Sequence, residues 1–522
     1  MEVLTTVPWL ALLPPIIAII LCFLTKRVLP SLFLGVFTGA LLLTLNPLSA
    51  VADTAIIYRD MLADSWHATI ILFDFVIGGL VGLMYLSGGT QGFANAIISR
   101  VKTARGGQIA STLMGCVIFF DDYANTVIVG NALRPVSESL KISKEKFSYI
   151  IDSTAAPVAT LAFVSTWLGY EVGVIGDALA NAGSDVAPYY VFLHSIPYRF
   201  YSLFAILLVF LVAITSRDFG PMLNAEHRAR TTGKLMRDGA VPLAGGIKLE
   251  TMEEVPKRAI NMILPLIVLV GISLFGMWWS GGGFGAESFI DAISAADAML
   301  ALLWGSVAAT IVALFMYAIQ RIASLAQMMN AFINGAKMMV LANLVLISAW
   351  SIGEICARVG TAAYVVDISR GVLVPWLIPA LLLVISFFIA FSTGTSWGTM
   401  AIVIPIAVPL GIAFGIPVHI AIAPVLTGGV WGDHCSPISD TTVMSSTFAG
   451  SDHMDHVKTQ LPYALLTGCV AFFMFILISI DFESTTMDII ALALGAALVY
   501  LVLVILSNRS MKKNNITISE LK

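Results

Sequence analysis

Two short stretches place acidic, amide and hydroxyl side chains inside otherwise apolar sequence. They are FFDDYANT (119–126) and GGVWGDHCSPISDTT (428–442). Ionisable side chains are costly in hydrocarbon, so they face protein or a water-filled cavity and mark ion or proton pathways. Oxygen ligands suit Na⁺, by analogy with other hard cations, and a poorly hydrated carboxylate has a raised pKa. Such carboxylates can exchange a proton for a cation near neutral pH.

The polar residues of these stretches and their surroundings form two candidate groups. The candidate ion- or proton-binding residues are Asp121, Asp122, Asn125, Thr126, Asp152, Asp433 and Asp440, with Na⁺ at Asp122 and Asp433. The residues expected to line the ion or substrate path are Ser153, Thr154, Ser392, Thr393, Thr395, Ser396, Trp397, Cys435, Ser436 and Thr441. Helix capping and hydrogen bonding within one helix are the alternative roles for these acids, amides and hydroxyls.

Four further polar features have simpler interpretations. His434 is interpreted as a hydrogen-bonded structural histidine, and SDHMDH (451–456) as a solvated loop rather than a metal site. Glu354 and Arg358 have the i, i+4 spacing of a local ion pair. Asp74 interrupts IILFDFVIGG and either reaches a central cavity or pairs with a polar neighbour.

The composition indicates a polytopic membrane protein. Of the 522 residues, 58% are hydrophobic and 11% are charged, against about 25% charged in soluble domains. No basic stripe suggests nucleic-acid binding. The five cysteines are scattered and form no CxxC motif, so neither a disulfide framework nor a zinc site is expected, and no cofactor is predicted. Lys26 and Arg27 follow the first apolar run, which predicts a retained helix rather than a signal peptide.

Apolar runs predict about eleven transmembrane helices, each about 20 residues long. The runs lie near 7–24, 29–47, 65–86, 147–168, 190–215, 259–279, 297–318, 338–356, 418–447, 461–481 and 487–507. Basic residues gather after the first and third runs, in 141–146, in 216–258 and in the C-terminal tail. This distribution predicts an N-terminus outside and a C-terminus in the cytoplasm.

Two re-entrant hairpins and two broken helices are predicted within an all-α fold. The first hairpin (106–135) has arms too short to cross ~30 Å of hydrocarbon, whereas the arms of the second (371–412) also permit two full spans. Each hairpin precedes a helix with a polar break near a proline, at Pro157 and Pro437. The two halves run in opposite orientation, which is typical of inverted-repeat transporters. The first predicted repeat covers 1–215 and contains the broken helix 147–168. A cytoplasmic linker at 216–258 joins it to the second repeat at 259–481, which contains the broken helix 418–447. The last helix and the tail cover 482–522.

The polar signatures resemble those of the NhaC family of sodium/proton antiporters. The resemblance rests on FFDDYANTVIVGNALRP (119–135), ISKEKFSYIIDSTAAPVA (142–159) and GDHCSPISDTTVMSST (432–447) and extends over roughly residues 70–480. It implies a scaffold domain, a transport domain with opposed hairpins, elevator-type movement and often a homodimer. It also implies an ion-site role for Asp121, Asp122, Asn125, Asp152, Asp433 and Asp440.

The expected function is exchange of Na⁺ for H⁺ across the cell (inner) membrane by alternating access. The alternative is a Na⁺-coupled carrier or exchanger of a small organic acid or amino acid, since NhaC-like proteins include both. An intramembrane aspartyl protease is disfavoured, because VWGD (430–433) lacks the first glycine of GxGD and PAL (379–381) precedes the aspartate. No enzymatic activity is expected. A passive channel is disfavoured, because the carboxylate pairs and the repeat symmetry favour alternating access.

Overall fold

A computed structural model describes residues 7–25, 27–98, 101–242, 255–286, 292, 296–369 and 373–521. Within these residues the chain is helical, with no strand beyond an isolated bridge between Pro242 and Asp452. This confirms the predicted all-α class.

The helices of the first half divide into long apolar rods and short interrupted segments. They are α1 (Leu13–Thr25), α2 (Val28–Thr44), α3 (Pro47–Ala63), α4 (Ser65–Leu86), α5 (Gly89–Ile98), α6 (Ala104–Val117), α7 (Asp122–Ser139), α8 (Lys144–Ser153), α9 (Ala156–Ala159), α10 (Thr166–Asn181), α11 (Pro188–Ser195), α12 (Phe200–Thr215) and α13 (Gly220–Thr232).

The second half has the same mixture of long and interrupted helices. They are α14 (Ile260–Ser280), α15 (Ala298–Ile319), α16 (Leu325–Met338), α17 (Val340–Val359), α18 (Thr361–Ser369), α19 (Ile378–Thr393), α20 (Ser396–Ala413), α21 (Val418–Cys435), α22 (Asp440–Ala449), α23 (His453–Ile478) and α24 (Thr485–Asn514).

Nine helices among the described residues are long and apolar enough to cross a membrane, and two shorter apolar helices lie near the N-terminus. The chain is therefore a multi-pass membrane protein. The helix α6 has 14 residues and rises only ~21 Å at 1.5 Å per residue, less than the hydrocarbon thickness. The number of eleven spans, the re-entry of both hairpins and the inverted repeat stay predictions.

The prediction of one broken helix at 147–168 is wrong in its extent. The helix α8 ends at Ser153, α9 is a single turn, and α10 begins at Thr166 and continues to Asn181. Residues 171–181, which lie between the predicted spans 147–168 and 190–215, are therefore helical. Asn125 and Ser165 explain the wide break, because Asn125 binds the carbonyl of Thr154 and Ser165 caps α10.

Two other predicted segments also differ from the structure. The predicted span 190–215 is interrupted between α11 and α12, where Pro197 cannot donate a backbone hydrogen bond and Arg199 turns inward. The predicted linker 216–258 contains α13, whose Glu226 is buried. Residues 243–254 of that linker, and 370–372 around the start of the second hairpin, lie outside the described residues.

The polar interruptions of the two halves pack against each other. The helix α22, which follows the break at Ser436–Ser439, packs on α7 and α8, and α20 packs on α10. The tip of one helical pair therefore lies beside the broken helix of the other half. This packing gathers the helix ends from both halves around one cavity.

Candidate functional site

The helix ends enclose a cavity of about 360 Å³. Among the residues predicted for the site, those that line it are Asp122, Thr393, Thr395, Ser396, Trp397, Asp433, Asp440 and Thr441. The other lining residues are Arg27, Leu29, Pro30, Tyr123, Trp167, Leu341, Val345, Gly394 and Ile438. Both halves of the chain thus contribute acidic or hydroxyl groups to one space.

Asp433 has one satisfied and one unsatisfied carboxylate oxygen. Its Oδ2 accepts hydrogen bonds from the backbone N–H (3.3 Å) and the hydroxyl (2.8 Å) of Ser396. Its Oδ1 is buried and has no hydrogen-bond partner among the described residues. The helix α21 brings Asp433 to this position because it ends two residues later, where the chain turns at the Ser436–Ser439 break. An unpartnered oxygen of a buried acid is available to a proton or a cation.

Asp122 and Asp440 lie at the starts of two helices from different halves. Asp440 begins α22 and accepts hydrogen bonds from the backbone N–H of Thr441 (2.8 Å) and from the hydroxyl of Tyr123. Asp122 lies in the first turn of α7 and is buried. Helix N-termini stabilise negative charge, which offsets part of the cost of burying these two acids.

Aromatic rings form one wall of the cavity. Trp397 stacks on Tyr170 with 4.3 Å between ring centroids and meets Trp167 edge-on at 6.0 Å. The hydroxyl of Tyr170 also donates to the backbone carbonyl of Trp397. Thr395 caps α20 by accepting from the N–H of Gly398. The second tip is therefore fixed by contacts with the first half of the chain.

Nine residues of the predicted site lie outside the cavity lining. They are Asp121, Asn125, Thr126, Asp152, Ser153, Thr154, Ser392, Cys435 and Ser436. Thr126 and Thr154 donate to carbonyls of their own helices, and Ser436 donates to the carbonyl of Phe391. These hydroxyls stabilise the breaks.

Asp152 lies behind the cavity in a satisfied network. It accepts hydrogen bonds from Thr442 (3.0 Å), Ser445 (3.2 Å) and Gln460 (2.6 Å). These donors come from α22 and α23, so Asp152 joins three helices around the second break. Its saturation with donors distinguishes it from Asp433.

Asn125 connects the two sides of the first break. Its side-chain amide lies 2.6 Å from the carbonyl oxygen of Gly115, 3.0 Å from that of Ile118 and 2.8 Å from that of Thr154. These carbonyls belong to the ends of α6 and α8, which lack helical partners there. Asn125 therefore supplies the donors that the helix ends need.

The histidines have structural contacts, but one of them contradicts a prediction. His434 is hydrogen-bonded to Tyr201 (2.5 Å) and Ser153 (3.1 Å), which agrees with its interpretation as structural. His456 is buried in α23 and bonds Ser446 and Gln460. The prediction of a solvated loop at 451–456 is therefore wrong, because this segment begins a packed helix. In the described part of the chain, no group of three or more His, Cys, Asp or Glu side chains could hold a metal ion.

The sequence reasoning missed a buried ion pair. Arg199 and Glu171 are both fully buried, and their Nη1 and Oε2 atoms lie 2.6 Å apart. Arg199 also donates to Thr160 and Ser195, and Thr160 donates to Glu171. An arginine inside an apolar run was the available signal, because such a residue needs a partner.

Comparisons with known proteins agree with this architecture. Residues 158–480 match the Na⁺/H⁺ antiporter family. The chain belongs to this family. It is also 30% identical over 470 residues to an uncharacterized protein of Haemophilus influenzae, with 87% of this chain and 88% of that protein covered.

A solved transporter shares the fold of this Na⁺/H⁺ antiporter family member. The YdaH transporter of Alcanivorax borkumensis superposes with a TM-score of 0.50 at 12% identity, covering 82% of this chain and 89% of that one. Family and fold together identify the chain as a membrane transporter.

Proposed function

We propose that the protein exchanges Na⁺ for H⁺ across the cell membrane by alternating access, with the cavity as the shared binding site. The observation that carries this proposal is Asp433 Oδ1, a buried carboxylate oxygen without a partner among the described residues. An uncompensated buried charge is strongly unfavourable, so a proton or a cation is expected there. Competition between the two couples their movements.

The hydroxyls around Asp433 support Na⁺ as the cation. Thr395, Ser396 and Thr441 place neutral oxygens in the same cavity, and Asp122 and Asp440 add negative charge. Hard cations prefer such oxygen ligands. Asn125 and Asp152 have supporting roles in this proposal, since they position the breaks. The homodimer stays a prediction.

The proposal is tested with purified protein in liposomes that contain a pH-sensitive dye. Addition of external Na⁺ should alkalinise a proton-loaded lumen, and Asp433→Asn should abolish the response because it removes the exchangeable charge. Asp60→Asn is the matched control, since Asp60 lies on the surface in a pair with Arg59. Absence of a Na⁺-driven response in the wild type at every pH would refute the proposal.

A second candidate is Na⁺-coupled transport of a small organic acid or amino acid. The cavity of about 360 Å³ exceeds the ~30 Å³ of one water molecule, and the ring of Trp397 and the cation of Arg27 both line it. An aromatic wall and a guanidinium suit an organic carboxylate. This candidate requires that a particular organic solute alters the dye response or the Na⁺-dependent melting temperature, so a screen without any such solute excludes it.

A further inference from the structure

Asp74 is an acid in the middle of α4 with no compensation from the described residues. Its side chain is fully buried, and in the described part of the chain no hydrogen-bond donor reaches Oδ1 or Oδ2. An ionised carboxylate in this condition is strongly unfavourable. Asp74 is also absent from the lining of the cavity, so the proposed exchange site does not account for it.

A second carboxylate, Asp121, is oriented toward the same region. Asp121 caps α7 by accepting from the backbone N–H of Ala124 (2.6 Å). Its Oδ2 accepts from the hydroxyl of Thr166 (3.0 Å) in the first turn of α10. Two helix N-termini therefore favour the anionic form of Asp121. Asp121 is also close enough to Asp74 for the two carboxylates to repel each other when both are ionised.

The face of α10 sets the relative position of the two acids. Thr166 and Gly169 are three residues apart and so lie on one helix face, about 5–6 Å from each other. Asp121 contacts this face at Thr166, while a Cβ added to Gly169 would lie 3.2 Å from Asp74 Oδ1. Both carboxylates thus lie against α10 one turn apart, and the missing side chain of Gly169 leaves room beside Asp74.

This pair is separate from the cavity although Asp121 and Asp122 are neighbours in sequence. Asp122 lines the cavity together with Asp433, whereas Asp121 is absent from the lining and contacts α10 instead. The two adjacent acids consequently serve different regions.

We propose that Asp74, Asp121 and Thr166 form a second Na⁺ site, beside the exchange site of the proposed function, on which this inference rests. Two carboxylates and one hydroxyl give a small, oxygen-rich site. One Na⁺ between the acids balances one of their two negative charges, and the helix N-termini beside Asp121 offset part of the other. Asp74 supplies the oxygens that no donor reaches, and Asp121 and Thr166 supply a preformed anchor. A protonated Asp74 without an ion is the competing state that the experiment must separate.

The test is the dependence of melting temperature on Na⁺ concentration for the purified protein in detergent, with choline chloride holding the ionic strength constant. Each bound ion adds its own logarithmic increment of stability once its site is saturated. The slope of melting temperature against the logarithm of Na⁺ concentration therefore counts the bound ions. The wild type should give the slope of two ions, Asp74→Asn and Asp433→Asn the slope of one ion each, and the double variant no dependence.

Two further variants keep the test decisive. Asp60→Asn should retain the wild-type slope. Thr166→Val keeps both acids but removes a hydrogen bond to a charged group. Half-saturation of the second site should therefore require about tenfold more Na⁺. If Asp74→Asn does not fold, Thr166→Val takes its place in the test. A full slope in folded Asp74→Asn would overturn the second site and would indicate a protonated acid.

The liposome assay tests the exchange site independently of the melting-temperature slope. If wild-type liposomes show Na⁺-driven alkalinisation but the slope corresponds to one ion, only the second site is refuted. If the alkalinisation itself is absent, the proposed function is refuted first.

Discussion

At the scale of single residues, the acids differ in how many donors reach them. Asp152 has three side-chain donors, whereas Asp433 has both of its hydrogen bonds on one oxygen. Donors lower the free energy of an anion in place, and an oxygen without them gains more from a cation. The number of donors therefore separates a structural acid from a binding acid better than the residue type does.

The hydroxyl of Ser396 should tune Na⁺ binding. Ser396→Ala removes the 2.8 Å hydrogen bond to Asp433, which frees the carboxylate to rotate away from its position. We expect a roughly tenfold rise in the Na⁺ concentration for half-maximal exchange, measured with the liposome dye. Ser392→Ala is the matched control, because Ser392 is near in sequence but absent from the cavity lining. Equal effects of both changes would contradict a specific role of Ser396.

The amide of Asn125 should be essential for stability rather than for ion contact alone. Asn125→Asp keeps the shape but replaces donors with oxygens that face the carbonyls of Gly115, Ile118 and Thr154. We expect a loss of at least ~1–3 kcal/mol, seen as a lower melting temperature in detergent. The same change at the exposed Asn224 of α13 should have little effect. An unchanged melting temperature for Asn125→Asp would show that the amide does not hold the break.

At the scale of elements, helix breaks are held by side chains from distant parts of the chain. Thr160, in the irregular segment after α9, is joined to α10 by Glu171 and to the start of α12 by Arg199. Ser143 at the start of α8 donates its backbone N–H to Glu226 of α13 (2.7 Å). Irregular backbone within a membrane protein is stable only where protein or water satisfies it. These contacts give the polar groups of the irregular segments their hydrogen-bond partners.

The buried pair of Arg199 and Glu171 should be costly to break from either side. Arg199→Met or Glu171→Gln leaves one unpaired buried charge, with an expected loss of about 3–5 kcal/mol. The double variant should lose less than the sum of the two, measured as melting temperature in a double-mutant cycle. Arg59→Met is the control, because the pair with Asp60 is exposed. Strict additivity of the two changes would argue against coupling.

At the scale of the whole molecule, the helices divide into a lipid-facing shell and a polar centre. The most apolar window of α24 is only 22% buried within the molecule, whereas that of α4 is 72% buried. The outer surface faces lipid, where no water can solvate polar groups, so it must be apolar. The acids are instead concentrated where helix ends from both halves meet. The cavity is therefore a consequence of how the halves pack.

The predicted orientation places the loop after α10 outside and the segment after α13 in the cytoplasm. The side of the membrane on which each segment lies is measured with single cysteines. One cysteine replaces the exposed Asp185 or the exposed Asp238 in a cysteine-free variant. A membrane-impermeant maleimide should label the cysteine at 185 in intact cells. It should label the cysteine at 238 only after the cells are permeabilised. The reversed pattern would invert the topology, and labelling of both in intact cells would place the two segments on one side.

The sequence alone determined the helical membrane class, the location of the polar breaks near Pro157 and Pro437, and three acids of the cavity, Asp122, Asp433 and Asp440. These features are local, because run length and polar interruption are read directly from consecutive residues. The extent of the first break was missed, because Asn125 fixes it through a carbonyl 29 positions away.

Only the tertiary structure decided which polar side chains share a space. Asp121 and Asp122 are consecutive, yet one contacts Thr166 on α10 and the other lines the cavity. Glu171 lies beyond the predicted span 147–168, and only the structure shows that it is buried in a pair with Arg199. Side-chain direction and long-range pairing depend on the packing of helices that are far apart in sequence, and no local pattern records that packing.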